Sequence, residues 1–300
     1  MKYPIEVQRR VLDREESPVA DFLELIKFRI GIFVVLSALV GFVLGSGGTL
    51  DLTRLLHMLL ATFMVSSGSA ALNQLIERDQ DAQMRRTADR PLPAGRLDPE
   101  QAHLIGVVLS AVGIGYLGLW VNWLTSVLAA LTIVIYLLFY TPLKPRSVHN
   151  TVVGAISGAL PPVGGWTAAT GELGVGAGVL FAILFLWQFP HFFSIAWIYR
   201  EDYARGGYRM LSVEDPGGSR TAFQMVLYSL VLVPFSIMPW FLGLTGAVYF
   251  CVALCLSASL VVFSLVFAKS RARQDARRLL RATLVYLPVL WMVMVLDRLS

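Results

Sequence analysis

Asn73, Glu77 and Asp81 recur at every fourth position in the stretch Asn73-Gln-Leu-Ile-Glu77-Arg-Asp79-Gln-Asp81. On a helix each step of four turns through about 400°, so the three side chains form one stripe roughly 12 Å long. All three present oxygen. Hard cations such as Mg²⁺ take oxygen ligands, commonly one or two carboxylates completed by substrate phosphates. The stripe begins in an apolar run and ends in a block of charge containing Arg85, Arg86 and Arg90. Read together, these residues would hold Mg²⁺ on a diphosphate. The same pattern also fits a solvated basic loop with incidental acids, and spacing alone leaves both readings open.

A second stretch repeats the outline. Trp187-Gln188-Phe189-Pro190-His191 leads to Tyr199-Arg200-Glu201-Asp202-Tyr203. His191 and Asp202 are eleven residues apart, which returns a helix to within about 20°. Two facing acidic stripes would cage metal ions that neutralise a leaving group. A third stretch places Tyr140 four residues before Lys144, with Arg146 and Asn150 following. Lys and Arg at a membrane surface are ordinarily topology signals; beside acidic stripes they become candidate phosphate clamps. Ionisable and polar groups inside apolar runs are functional suspects. Here they include His57, Asn73, Asn150, Gln188 and His191, while Glu24, Lys27 and Arg29 lie near a span end and can snorkel. Pro161-Pro162 should break or bend its helix. Cys251 and Cys255 share one apolar face and read as small buried hydrophobes, with no disulfide framework.

The elements that must position these groups are membrane helices. The chain has 300 residues, 56% hydrophobic and 15% charged, with a mean hydropathy of +0.65. Soluble domains run at about 45–50% apolar and about 25% charged. The excess falls in blocks near the ~20 residues that cross a bilayer. The expected fold is all-α and polytopic, with nine spans near 24–46, 54–76, 102–121, 123–140, 150–169, 174–198, 222–241, 243–268 and 279–297. A cytoplasmic tail, 1–22, would precede one intramembrane domain, 23–300. The tail has no apolar h-region and reads as something other than a signal peptide. With nine spans, all of the 25 Lys and Arg residues except Arg54 and Arg298 fall on one side. The positive-inside rule then puts the N-terminus and the long charged loops in the cytoplasm and the C-terminus opposite, in a cell (inner) membrane. That distribution also answers the net charge of +5: it marks topology and lipid, not nucleic acid. Acidic stripes ending the second and sixth spans suggest a pseudo-repeat of four helices plus four, plus one.

The chain resembles the UbiA superfamily of intramembrane aromatic prenyltransferases over nearly its whole length. The resemblance rests on Leu25-Ile-Lys27-Phe-Arg29-Ile30; on Asn73-x3-Glu77-x3-Asp81 with Met84-x-Arg86-Thr87-x2-Arg90-Pro91-Leu92; on Tyr140-Thr-x-Leu-Lys144; and on Asn150-x3-Gly154-x3-Gly158-Ala-x-Pro161-Pro162-x-Gly164-Gly165-Trp166. Trp187-Gln-Phe-Pro190-His191-Phe with Arg200-Glu-Asp202-Tyr203 is the most specific piece and points to the haem-modifying branch. His191 stands where the quinone enzymes usually have an acid. Glu77 stands where the first motif usually has Asp, and Phe28 where a Lys-Pro-Arg triplet is usual.

The resemblance implies that farnesyl diphosphate enters from the lipid bilayer and lays its chain in an apolar tunnel. Asn73, Glu77, Asp81 and Asp202 would hold Mg²⁺, with Asp81, Asp202 and Lys144 catalytic. Lys144, Arg86 and Arg146 would take charge from the leaving diphosphate. Arg90, Tyr140, Asn150, His191, Arg200 and Tyr203 would complete the substrate site. A vinyl group of haem b, a substrate and not a cofactor, would attack the allylic cation. A haem A synthase or a terminal oxidase would be a natural neighbour for such an enzyme. Two readings stay open beside it: a sister enzyme prenylating a quinone precursor, and a transporter built on inverted repeats.

Overall fold

A computed structural model describes residues 17–298. Most of the expected tail, with Lys2, Arg9, Arg10 and Arg14, lies outside them. Among the described residues nine long helices form the bundle: α1 Phe28–Gly45, α2 Leu52–Ile76, α3 Pro99–Trp120, α4 Trp123–Val134, α5 Asn150–Thr170, α6 Val175–Ile198, α7 Ser219–Phe241, α8 Ala247–Ser270 and α9 Arg273–Leu296. Eight are long and apolar enough to cross a membrane, counting α4 with its continuation to Leu143. The protein is a multi-pass membrane protein.

Caps explain several starts. Asp51 accepts from the Arg54 amide at 2.9 Å, and Asn122 accepts from the Thr125 amide at 2.8 Å. Asp98 precedes Pro99 at the first helical position and accepts from the Glu100 amide. Each side chain satisfies an amide that the first turn leaves unpaired.

The helix α5 falls short of the others in hydropathy because Gly, Ala, Thr and Pro dominate it. It is enclosed by protein: α1, α4 and α6 all pack on it. A Cβ on Gly41 of α1 would collide with the Pro162 carbonyl, and one on Gly165 with the Ala38 carbonyl. Small residues thus let two backbones touch where side chains would hold them apart. Pro161 and Pro162 do not break this helix, which runs on to Thr170. Pro190 likewise sits inside an unbroken α6. Neighbouring helices and local hydroxyls accommodate proline in such bundles, and Ser194 Oγ donates to the Pro190 carbonyl at 2.7 Å.

Two other expectations need correction. The first span, 24–46, is divided into the short helix Pro18–Leu25 and α1, because Lys27 adopts a left-handed φ of 49°. Cys251 and Cys255 are not buried; both lie on the exposed outer face of α8. That face carries the apolar side chains, such as Val248 and Leu254, that meet lipid.

After Val134, α4 widens into a π-helical turn, Ile135–Tyr140, before finishing as Thr141–Leu143. Such turns insert one residue into a helix. The largest apolar core joins α5 to α6, α7, α8 and α9; a second lies among α1, α2 and α3.

The two ends of the bundle differ. At one, Arg298 donates to the Val43 carbonyl at 3.1 Å and bridges to Thr245, gathering the C-terminus and two short turns. At the other, the Arg209 amide donates to the Lys144 carbonyl at 2.8 Å, and the Arg85 amide donates to Asp202 at 3.2 Å. All the long charged loops meet there, as the Lys and Arg pattern requires.

Candidate active site

The helix α2 ends at Ile76, and Arg78–Asp81 forms a separate short turn. The stripe survives the break. The Glu77 amide donates to the Asn73 carbonyl at 3.0 Å, and the Asp81 amide to the Glu77 carbonyl at 2.8 Å. These are helical i to i−4 bonds, so the four-residue spacing keeps all three side chains in register. Thr87 Oγ1 donates to the Asp81 carbonyl at 2.9 Å and folds the following loop back under it.

Each member of the stripe meets a polar partner from elsewhere. Lys27 Nζ donates to Asn73 Oδ1 at 2.7 Å, and Asn73 Nδ2 donates to Thr141 Oγ1 at 3.1 Å. Lys144 Nζ lies 2.5 Å from Glu77 Oε1, and Arg90 Nη1 lies 2.5 Å from Asp81 Oδ2. Arg86 donates to the Tyr203 hydroxyl at 3.2 Å and lies over the rings of Tyr199 and Tyr203. Lys144 stands 4.6 Å from the centre of the Tyr140 ring and 5.6 Å from that of Tyr208.

These groups surround a cavity of about 90 Å³ lined by Lys27, Glu77, Asp81, Met84, Arg86, Arg90, Tyr140, Lys144, Tyr203, Tyr208 and Met210. Four basic side chains face two acidic ones, so the wall carries excess positive charge and suits a polyanion. A larger cleft, about 480 Å³, opens between the end of α2 and the start of α3 beside Arg78, Asp79, Glu100 and His103. It lacks the converging buried charges of the smaller cavity.

Burial would raise the Glu77 carboxyl; Lys144 and then Lys27 outweigh it and hold it below its usual value. Burial opposes charge on Lys144, but Glu77 outweighs it and keeps the ammonium protonated. Lys27 is different. Burial and then the Arg90 charge lower its pKa to about 7, poised between charged and neutral.

Several sequence expectations are placed otherwise. Asp202 is buried but does not line the cavity; it accepts from the Arg85 amide and pairs with Arg205. The facing acidic stripes therefore meet through a loop brace and not across open space. Asn150 donates to the Ser147 and Arg209 carbonyls, and the Arg146 carbonyl accepts from Arg209. Both brace loops. Arg200 is exposed, stacked on Trp197. His191 lies between α6 and α9, with Nδ1 2.9 Å from Thr283 Oγ1 and its ring on Trp187. Conversely, Lys27, Thr141, Met84 and Tyr208 belong to the site or its support, though the spacing argument passed over them. Lys27 carried a signal, as a charge inside an apolar run, and Met84 and Thr141 stand within the motifs quoted above; Tyr208 carried none.

Among the described residues no three His, Cys, Asp or Glu side chains converge tightly enough to form a metal cage by themselves. The donors still fit Mg²⁺. Glu77 and Asp81 are hard oxygen ligands on one cavity wall, and phosphate oxygens ordinarily complete such a shell.

An all-helical membrane bundle with acids and cations around a buried cavity at a helix mouth defines a class: an intramembrane protein with a site for a charged substrate. The chain belongs to the UbiA prenyltransferase family, which it matches over residues 34–288, and it is a prenyltransferase. It is 46% identical over 292 residues to the protein named protoheme IX farnesyltransferase of Koribacter versatilis, covering 94% of each chain. Solved structures share the fold. A UbiA homologue from Aeropyrum pernix K1 superposes with a TM-score of 0.73 at 19% identity, over 89% of this chain and 97% of that one. A homologue from Archaeoglobus fulgidus, bound to GPP and Mg²⁺, gives 0.64 at 16% identity, over 91% of this chain and 99% of that one.

Proposed function

We propose that the chain transfers the farnesyl group of farnesyl diphosphate to a vinyl group of haem b, giving the hydroxyethylfarnesyl side chain of haem O and releasing diphosphate. The observation that carries this reading is the cavity in which Glu77 and Asp81 sit among Lys27, Arg86, Arg90 and Lys144. The name of the Koribacter relative supplies the acceptor.

Glu77 and Asp81, backed by Asn73, would hold Mg²⁺, whose charge, when bound, offsets that of the diphosphate. In the free protein Lys144 and Arg90 occupy those carboxylates. An arriving diphosphate gives both cations a second, stronger partner, and they turn to it. Arg86, held against two tyrosine rings, needs no such exchange. Asp202 acts from behind by fixing the loop that carries Arg86 and Arg90. The C1–O bond then breaks, with its electron pair leaving on the diphosphate. The haem vinyl group supplies the pair for the new C–C bond. Water adds to the cation left on the vinyl carbon and loses a proton. Burial keeps other water away until the vinyl group attacks.

The Lys and Arg distribution supports a cell inner membrane with this cavity on the cytoplasmic side. Purified protein in detergent, given Mg²⁺, farnesyl diphosphate and haem b, should yield a product with the mass of haem O. Prenylation of 4-hydroxybenzoate in place of haem would sink the haem reading and establish the quinone-precursor one.

A further inference from the structure

We propose that the Tyr208 hydroxyl is a catalytic hydrogen-bond donor to the departing diphosphate. The inference rests on the diphosphate-binding part of the proposed function and is independent of the acceptor.

Three observations carry it. Tyr208 is only 4% exposed, and its hydroxyl has no hydrogen-bond partner among the described residues. A buried hydroxyl is ordinarily paired, and leaving one unpaired is unfavourable. Next, the residue lines the cavity wall together with Glu77, Lys144, Asp81 and Tyr140. Finally, the charged groups of that wall are already engaged: Lys27 with Asn73, Lys144 with Glu77, Arg90 with Asp81, Arg86 with Tyr203. Tyr208 is a donor left over in a cavity built for an anion.

Its position is fixed. Gly207, at φ 72°, turns the chain. The Tyr208 amide then donates to the Tyr203 carbonyl at 2.9 Å. The ring packs between Tyr203 and the Lys144 ammonium. A donor already oriented when charge develops on the leaving oxygen favours the transition state without reorganisation. An anionic oxygen could also come from a haem propionate, and the test separates the two.

Tyr208→Phe removes the hydroxyl and keeps the ring. In the full chain in detergent, the free variant should melt no lower than wild type, because no bond is lost. The rise in melting temperature produced by farnesyl thiolodiphosphate with Mg²⁺ should shrink. The kcat should fall about ten- to hundredfold, with KM for haem b unchanged. Unchanged kcat and an unchanged analogue effect would overturn the proposal. So would a raised KM for haem b alone, which would assign the hydroxyl to a propionate. A lower melting point of the free variant would show that the hydroxyl already has a structural bond, with the same consequence. If wild type binds the analogue and prenylates a different acceptor, the haem reading fails while Tyr208 stands.

Discussion

The two long helices that deliver the charged loops end alike and are used differently. After α2 the chain breaks at Glu77 and makes the short turn Arg78–Asp81; after α6 it breaks at Tyr199 and makes Arg200–Arg205. The first break and its turn send two carboxylates into the cavity, Glu77 matched with Lys144 from a distant helix and Asp81 with Arg90 from the loop that follows. The second turn keeps Asp202 behind the wall, on Arg205 and the Arg85 amide, and it and the residues just after it contribute the phenols of Tyr203 and Tyr208 instead. Similar local geometry has been divided into a half that handles ions and a half that shapes and braces their container.

That division can be broken most severely on the first side. Asp81→Asn removes a carboxylate charge from the cavity and leaves Arg90 without its buried counter-charge, so kcat/KM should fall at least about 10³-fold, roughly 4 kcal/mol in transition-state stabilisation. Retained activity with normal membrane insertion would dissolve the contrast. Asp202→Asn should do less, about tenfold, by loosening the loop rather than removing a ligand; steady-state assays with a melting curve would separate the two. A loss matching that of Asp81→Asn would place Asp202 inside the cavity after all. The mildest perturbation, a change of pH, concerns Lys27. Only its charged form attracts a diphosphate. Its pKa in the free protein is near 7, and the bound anion raises it. Affinity for the diphosphate should therefore weaken above pH 7, by up to tenfold per unit until the bound pKa is reached. Lys27→Arg, charged throughout, should flatten that slope in calorimetric titrations at pH 6.5 to 8.5; an identical slope in both proteins would remove Lys27 from the binding step.

What the sequence made legible follows from periodicity. Helices that face lipid declare themselves through hydropathy, and the every-fourth-residue spacing of Asn73, Glu77 and Asp81 survived a helix break because the backbone bonds across it are still helical. The helix α5 shows where hydropathy weakens, since a segment wrapped by protein has no lipid to satisfy. Pro161 and Pro162 misled for a related reason: neighbours can tolerate what an isolated helix cannot. Asp202 and His191 were placed on one face by spacing, yet spacing says nothing about what stands opposite. Tyr208 left no pattern at all. Its significance arises only when a loop from α6 closes over one from α2, a tertiary event with no local period.

The widened turn Ile135–Tyr140 sets the phase of everything downstream. One surplus residue rotates a following helical stretch by about 100° relative to an uninterrupted helix, and Lys144, which meets Glu77, lies just beyond that offset. Shortening this stretch by a single position would swing the ammonium out of alignment while leaving every side chain of the cavity chemically intact. The partnership at the heart of the pocket is thus encoded partly in chain length, where no substitution scan would look for it.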